Sequence, residues 1–265
     1  MIIDFHTHVF PDKIAPSTIA KLEGMAHITA YGKGTLDSLL DSMQVSGVDL
    51  SVVLPVVTSP HQFQKINEVA FNMNQTYPDR LLSFGGIHPD CDDCKAKLKE
   101  LKEMGFIGIK LHPDYQNTYF SDIKYKRLVA DASELGFIIS VHAGLDIGIG
   151  KPVHCPSKMS AEVIHDVRPE KLVLAHTGGF DEWDDVEEFI VGSNVYLDLS
   201  YTLGFIQSEQ LMRIIHNHGV EKILFATDSP WGGQKESIQI LNSLPLTDIE
   251  KQKIYCDNAK KLLQL

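Results

Sequence analysis

Eight short apolar runs recur along the 265-residue chain, separated by segments in which apolar and polar residues mix. The runs are Ile2–Phe5, Ser51–Val57, Leu82–Ile87, Phe106–Leu111, Phe137–Val141, Lys171–Ala175, Asn194–Leu199 and Lys222–Ala226. Near-continuous hydrophobicity over so few residues marks strands covered on both faces, as in a parallel sheet. Between the runs the spacing turns helical. Ile66, Val69, Ala70, Met73 and Tyr77 keep i, i+3, i+4 intervals until Pro78 stops the helix. Leu128, Val129, Ala132 and Leu135 repeat the pattern, with Ser121 or Asp122 as the cap and Gly136 as the stop. Leu98, Leu101 and Met104 end at Gly105, and Leu211, Ile214 and Ile215 end near Gly219. Thr247-Asp248-Ile249-Glu250 reads as a capping box that opens the C-terminal helix.

Parallel strands need crossovers, and the helices supply them, so the alternation predicts a (β/α)8 TIM barrel: one α/β domain over residues 1–265. An open doubly wound sheet would share the alternation, but it usually carries a glycine-rich phosphate loop after its first strand. Here the first run leads into Asp4-Phe5-His6-Thr7-His8. The segment Val9–Gly34 is long for a loop; it predicts a short helix around Pro16–Met25 and a lid over the barrel mouth. The acidic cluster Asp181, Glu182, Asp184, Asp185, Glu187 and Glu188 reads as a solvated helix face.

Composition narrows the classes. A hydrophobic fraction of 43% supports a sizeable core, and a net charge of -11 argues against nucleic-acid and anionic-membrane partners. No signal-peptide pattern and no membrane-spanning run is evident, and four cysteines are too few to staple the chain, so the cytoplasm is the expected compartment. Cys91-x-x-Cys94 has no second pair to make a zinc knuckle; it reads as exposed thiols at a loop-to-helix junction. Gly148-Ile149-Gly150-Lys151-Pro152 opens no helix and reads as a loop over the mouth rather than a phosphate loop.

Barrel enzymes carry their chemistry where strands end. The first run ends in His6 and His8, two positions apart and therefore on one side of a strand. The third ends in His88-Pro89, the fourth in Lys110-Leu111-His112-Pro113, and the fifth in His142-Ala143-Gly144. The sixth gives His176-Thr177-Gly178-Gly179 and the eighth Thr227-Asp228-Ser229-Pro230-Trp231-Gly232. One buried histidine is usually a packed one. Six of the twelve histidines at strand ends point instead to a metal centre. Imidazoles with a carboxylate suit zinc, and also manganese, iron or cobalt. A bound water would then ionise near neutral pH, with Asp228 as both ligand and proton acceptor.

These segments resemble the amidohydrolase superfamily, in its amidohydrolase 2 branch of TIM-barrel metal-dependent hydrolases. Asn258-Ala259 followed by Leu262-Leu263 is similar to that branch's terminal helix, so the resemblance spans nearly the whole chain. It implies His6, His8, His142 and Asp228 as ligands of one divalent ion, most simply zinc, with His176 holding the water or substrate, or with His142 and His176 as ligands of a second ion where two are bound. In binuclear relatives a carboxylated lysine or a glutamate bridges two ions from the fourth strand, and Lys110 occupies that place. We expect one ion, with Lys110 gripping a substrate carboxylate or phosphate, and with His88, His112, His154 and Trp231 lining the pocket. The expected reaction is attack of water on an ester, lactone or amide of a small, anionic molecule. Non-oxidative decarboxylation of an aromatic or unsaturated acid is the second reading. A TatD-like deoxyribonuclease is third, because that family carries a strand-four glutamate where this chain has Lys110. A barrel whose histidines bind only a regulatory metal is a further alternative, and a homodimer is compatible with the sequence.

Overall fold

A computed structural model describes residues 1–265. Every apolar run yields a strand: β1 (Ile3–Thr7), β2 (Leu50–Val53), β3 (Leu81–Ser83), β4 (Gly85–Gly86), β5 (Gly108–Leu111), β6 (Ile138–Val141), β7 (Leu172–Leu174), β8 (Tyr196–Asp198) and β9 (Ile223–Leu224). Neighbours pair in parallel and in chain order, as β1-β2-β3 and as β4-β5-β6-β7-β8-β9. The third run is divided at Phe84, whose N–H still donates to Val53 O at 2.9 Å. The division has a local cause. Asn67 and Asn74, on the helix Phe63–Thr76, reach into this run: Gly86 N–H donates to Asn67 Oδ1 at 2.8 Å, and the Asn74 amide donates to Ser83 O at 2.9 Å. Helix side chains thus take backbone groups that a neighbouring strand would otherwise pair, and the ladder restarts at Gly85.

The barrel closes between its last and first strands. Phe5 N–H donates to Phe225 O at 2.9 Å, Asp228 N–H to His6 O at 2.8 Å, and His8 N–H to Ser229 O at 2.6 Å. Asp4, fully buried on β1, accepts hydrogen bonds from Thr227 N–H (3.0 Å), Thr227 Oγ1 (2.6 Å) and Gln234 Nε2 (2.8 Å). Burial pushes its carboxyl up to about 7, against the pull of those donors and of the His6 N–H. Fully buried Phe5, Phe84, Phe106, Phe137 and Phe225 belong to the main core.

Helix limits follow the sequence signals closely. Asp122, of the two cap candidates, accepts from Lys124 N–H and opens Ile123–Glu134, and Gly136 follows at φ 75°. The capping box of Thr247 and Glu250 is formed. The segment after β1 carries the helix Ala15–Ala26 and walls one side of the cavity at the barrel mouth. Two expectations are corrected. Cys91 and Cys94 sit at the junction with the helix Cys94–Glu103, but as a disulfide packed against the core, not as exposed thiols. Within the acidic cluster Glu182 is only half exposed to water, because its carboxylate accepts from Ser157 N–H at 2.9 Å and caps a neighbouring helix. No helix is long and apolar enough to cross a membrane.

His218 closes the helix Ser208–His218 as a buried, neutral ring: Nε2 donates to Val195 O at 2.9 Å and Nδ1 accepts from Gly192 N–H at 3.2 Å. Burial lowers its pKa from the ordinary 6.5, against the Val195 bond. The unfolded chain therefore binds a proton that the folded protein refuses, and stability falls as pH drops through the unfolded value. His218→Gln keeps a donor and an acceptor without titrating. Urea unfolding should show the variant losing less stability than the parent between about pH 7.5 and about pH 5.5.

Candidate metal centre

β1 delivers His6 at its penultimate residue and His8 just beyond its end, and the turn after β9 delivers Asp228. The three offer ligand atoms that all lie within 4.8 Å of one another. His8 Nε2 is 3.0 Å and His6 Nε2 3.4 Å from Asp228 Oδ1, and the two Nε2 atoms are 3.1 Å apart. The second nitrogen of each ring fixes its tautomer. His6 Nδ1 lies 3.0 Å from Asp198 Oδ2 and His8 Nδ1 2.8 Å from Leu54 O, both acceptors, so each Nδ1 carries the hydrogen. Both Nε2 lone pairs then face each other and a carboxylate at contact distance. Burial also holds His6 neutral, driving its pKa well below the ordinary value, with Lys110 adding to the effect. Lone pairs meeting lone pairs fit a cation between them, and two imidazoles with a carboxylate are a donor set for zinc or manganese.

Lys110, on β5 and fully enclosed, places Nζ 3.1 Å from His6 Nε2. Burial lowers its pKa to about 8, although Asp198 and Asp228 pull it upward. It is the one lysine buried at the floor of the chamber. Asp228 is buried as well, which alone raises its carboxyl; only positive charge at the facing His6 and His8 positions draws it below the usual range.

His142 and His176 stand together, with His142 Nδ1 2.9 Å from His176 Nε2. His176 Nδ1 donates to Ser200 O at 2.9 Å, so its Nε2 accepts from His142. His142 Nε2 is then left buried without a partner. It does not fall in the group of His6, His8 and Asp228. It falls in a second one with His112 and Asp146. The His112 and His142 rings stack at 4.1 Å, and His112 Nε2 lies 3.4 Å from Asp146 Oδ2. Burial drives both rings well below the ordinary imidazole pKa.

Of the residues expected to line the pocket, Lys110, His112 and Trp231 do so, and His88 and His154 do not. His88 faces its own loop, where Nδ1 accepts from Asp90 N–H at 3.1 Å. His154 lies behind the chamber, with Nδ1 3.0 Å from Asp114 Oδ1 and its ring stacked on Tyr119. His88 follows a strand end and His154 lies in the loop after β6, and the rings of both turn toward partners outside the cavity.

Asp198 is the residue that sequence reasoning passed over. One oxygen orients His6; the other accepts from His176 N–H (3.1 Å), Ser200 N–H (3.0 Å) and Ser200 Oγ. Its signal was present, since it lies in the seventh apolar run, at the end of β8. Asp146 and Asp114 had weaker signals, because neither ends a strand. The backbone is bent at the same places: His176, Thr177 and Asp228 have φ of 59°, 56° and 65°. Non-glycine residues in this region are costly and tend to cluster where function demands a particular side-chain direction.

The whole surrounds one cavity of about 1000 Å³ at the C-terminal ends of the strands. Fold and cavity together define a TIM barrel whose mouth gathers histidines, aspartates and a buried lysine. Residues 3–265 match the family model for amidohydrolases of the amidohydrolase 2 type, and the chain belongs to that enzyme family. Solved structures similar to it include a TIM-barrel protein of Bordetella bronchiseptica (16% identity, TM-score 0.79, covering 99% of this chain and 98% of that one). A second is 5-carboxyvanillate decarboxylase from Sphingomonas paucimobilis (13%, TM-score 0.73, 100% and 99%). A third is a dihydroxybenzoic acid decarboxylase from Polaromonas with bound manganese and 2-nitroresorcinol (14%, TM-score 0.73, 100% and 97%). No curated protein matches the chain.

Asp198→Asn tests the tautomer argument. The Asn oxygen can keep the His176 and Ser200 bonds, but its amide would then point at His6 Nδ1 and push the ring hydrogen onto Nε2. Affinity for zinc or manganese, measured by calorimetry, should fall about tenfold to a hundredfold with the thermal unfolding profile preserved.

Proposed function

We propose that the protein is a divalent-metal-dependent, non-oxidative decarboxylase of an aromatic or unsaturated carboxylic acid. The observation that carries this reading is the pairing of a cationic floor with aromatic walls. Lys110 is buried beside His6, His8 and Asp228, while Tyr115, Phe180, Tyr201 and Trp231 line the same cavity. That pairing suits a planar anion: its ring stacks on aromatic side chains and its carboxylate meets a desolvated ammonium. Two of the similar structures are named as decarboxylases of hydroxylated aromatic acids, which supports the same choice.

His6, His8 and Asp228 would hold the ion, and His142 would join them by a turn of its ring. When bound, the ion supplies Lewis-acid attraction for substrate oxygens. Zinc suits the donor set, and manganese is supported by the manganese-containing neighbour. The chain's own groups do the rest. Lys110 orients the carboxylate, and the aromatic walls exclude water from the reacting carbon. The bond from carbon to the carboxylate breaks, carbon dioxide leaves, and the electron pair left on carbon takes a proton. The chamber offers Lys110 Nζ as the donor for that proton. Lys110 stays unmodified in this scheme, with a single ion.

Hydrolysis is the second reading, favoured by one observation: Asp228 lines the cavity with Oδ1 3.0 Å from His8 Nε2, where a carboxylate can take a proton from water. The two separate cleanly. Manganese-loaded enzyme given a panel of hydroxybenzoates should release carbon dioxide and place deuterium from heavy water on the vacated carbon. Turnover of esters or lactones with no carbon dioxide from any acid would sink the decarboxylase reading. His8→Ala should lower activity at least about a hundredfold and abolish tight metal binding. Intact mass should show no carboxylated lysine.

A further inference from the structure

The cavity is larger than a dihydroxylated benzoic acid needs. At about 1000 Å³ it lies at the upper end of sites that hold drug-sized ligands. The extra space runs outward from the metal group between the helix Ala15–Ala26 and the helix Phe63–Thr76. Its walls there combine the aliphatic Leu22, Ile28, Leu36, Ile66, Val69 and Met73 with Ser17, Thr18, Lys21 and Lys65 from the same two helices. Val53 and Met73 also line it, and both belong to the small core cluster with Leu39, Met43, Val48 and Leu81. The cavity therefore passes the barrel rim and reaches the outer layer of helices. Val69 on one wall is 37% exposed and Ile14 at the entrance 46%, apolar surface that folding leaves uncovered. Lys21 and Lys65, on the same two helices, are exposed to solvent.

From this we infer that the substrate is a carboxylic acid bearing an extended apolar substituent, and that this aliphatic arm is the site that binds it. The inference rests on the reading that the acid group lies against Lys110 and the metal ligands. Continuity argues for one occupant, because the arm and the metal group are parts of a single cavity. An extended chain entering it removes apolar surface on both partners from water, and each buried methylene is worth roughly fourfold in affinity. Small phenolic acids would leave the arm empty and gain nothing from it.

The test uses binding rather than turnover. Calorimetry on manganese-loaded enzyme with butanoate, hexanoate, octanoate and decanoate should show affinity rising about threefold to fourfold per methylene. Val69→Asp and Leu22→Asp, both on partly exposed helix faces, should reduce the slope to under about twofold while leaving benzoate affinity unchanged. A flat series in the parent overturns the arm, as does a slope that survives both substitutions. A preserved slope with no benzoate binding upholds the arm and counts against the aromatic-acid reading alone.

Discussion

Closure of the barrel across β9 and β1 is the constraint on which the rest depends. Three backbone hydrogen bonds join the two ends of the sheet, and one of them, from Asp228 N–H to His6 O, links two residues of the metal group directly. Asp4 fixes the same junction from beneath, since its carboxylate gathers donors from Thr227 and Gln234. The backbone positions from which His6, His8 and Asp228 project are therefore fixed by the seam. A slip of one residue in this pairing would turn His6 and His8 away from Asp228.

Around that seam, electrostatics and backbone geometry agree. The rings of His6, His112 and His142 are kept neutral by burial, the state in which an imidazole can offer a lone pair. Asp198 sets which nitrogen of His6 does so. The positive φ at His176 and Asp228 places these side chains where a regular strand end would not. Part-buried Trp183 adds support for that local cost, its Nε1 donating to His176 O at 3.3 Å.

Much of this was legible in the sequence because it depends on period and punctuation. Eight apolar runs gave eight barrel positions, and reading the residue at each run's end found His6, His8, His142, His176, Lys110 and Asp228. What escaped depends on side-chain direction and on contacts far apart in the chain. His88, just past a strand end, and His154, in the loop after β6, both point away from the cavity. His142 adjoins its expected partners through His176, and its ring stacks on His112 and groups with Asp146. The division of the third run at Phe84 rests on two helix asparagines, which no strand pattern encodes. Asp198 could have been found by applying the strand-end rule to the seventh run as well.

The position of the candidate metal ligands in the chain has a mechanical meaning. His8 and Asp228 are separated by about 220 residues, yet their ligand atoms are 3.0 Å apart. An ion gripping both would act as a cross-link between the two ends of the fold, spanning nearly the whole polypeptide. An ion held only by the folded chain stabilises it by mass action, by about 2.7 kcal/mol when the free ion stands at a hundred times its dissociation constant. Metal occupancy and resistance to unfolding would then be two readings of a single equilibrium, and a cell short of the ion would hold a protein that is looser as well as idle.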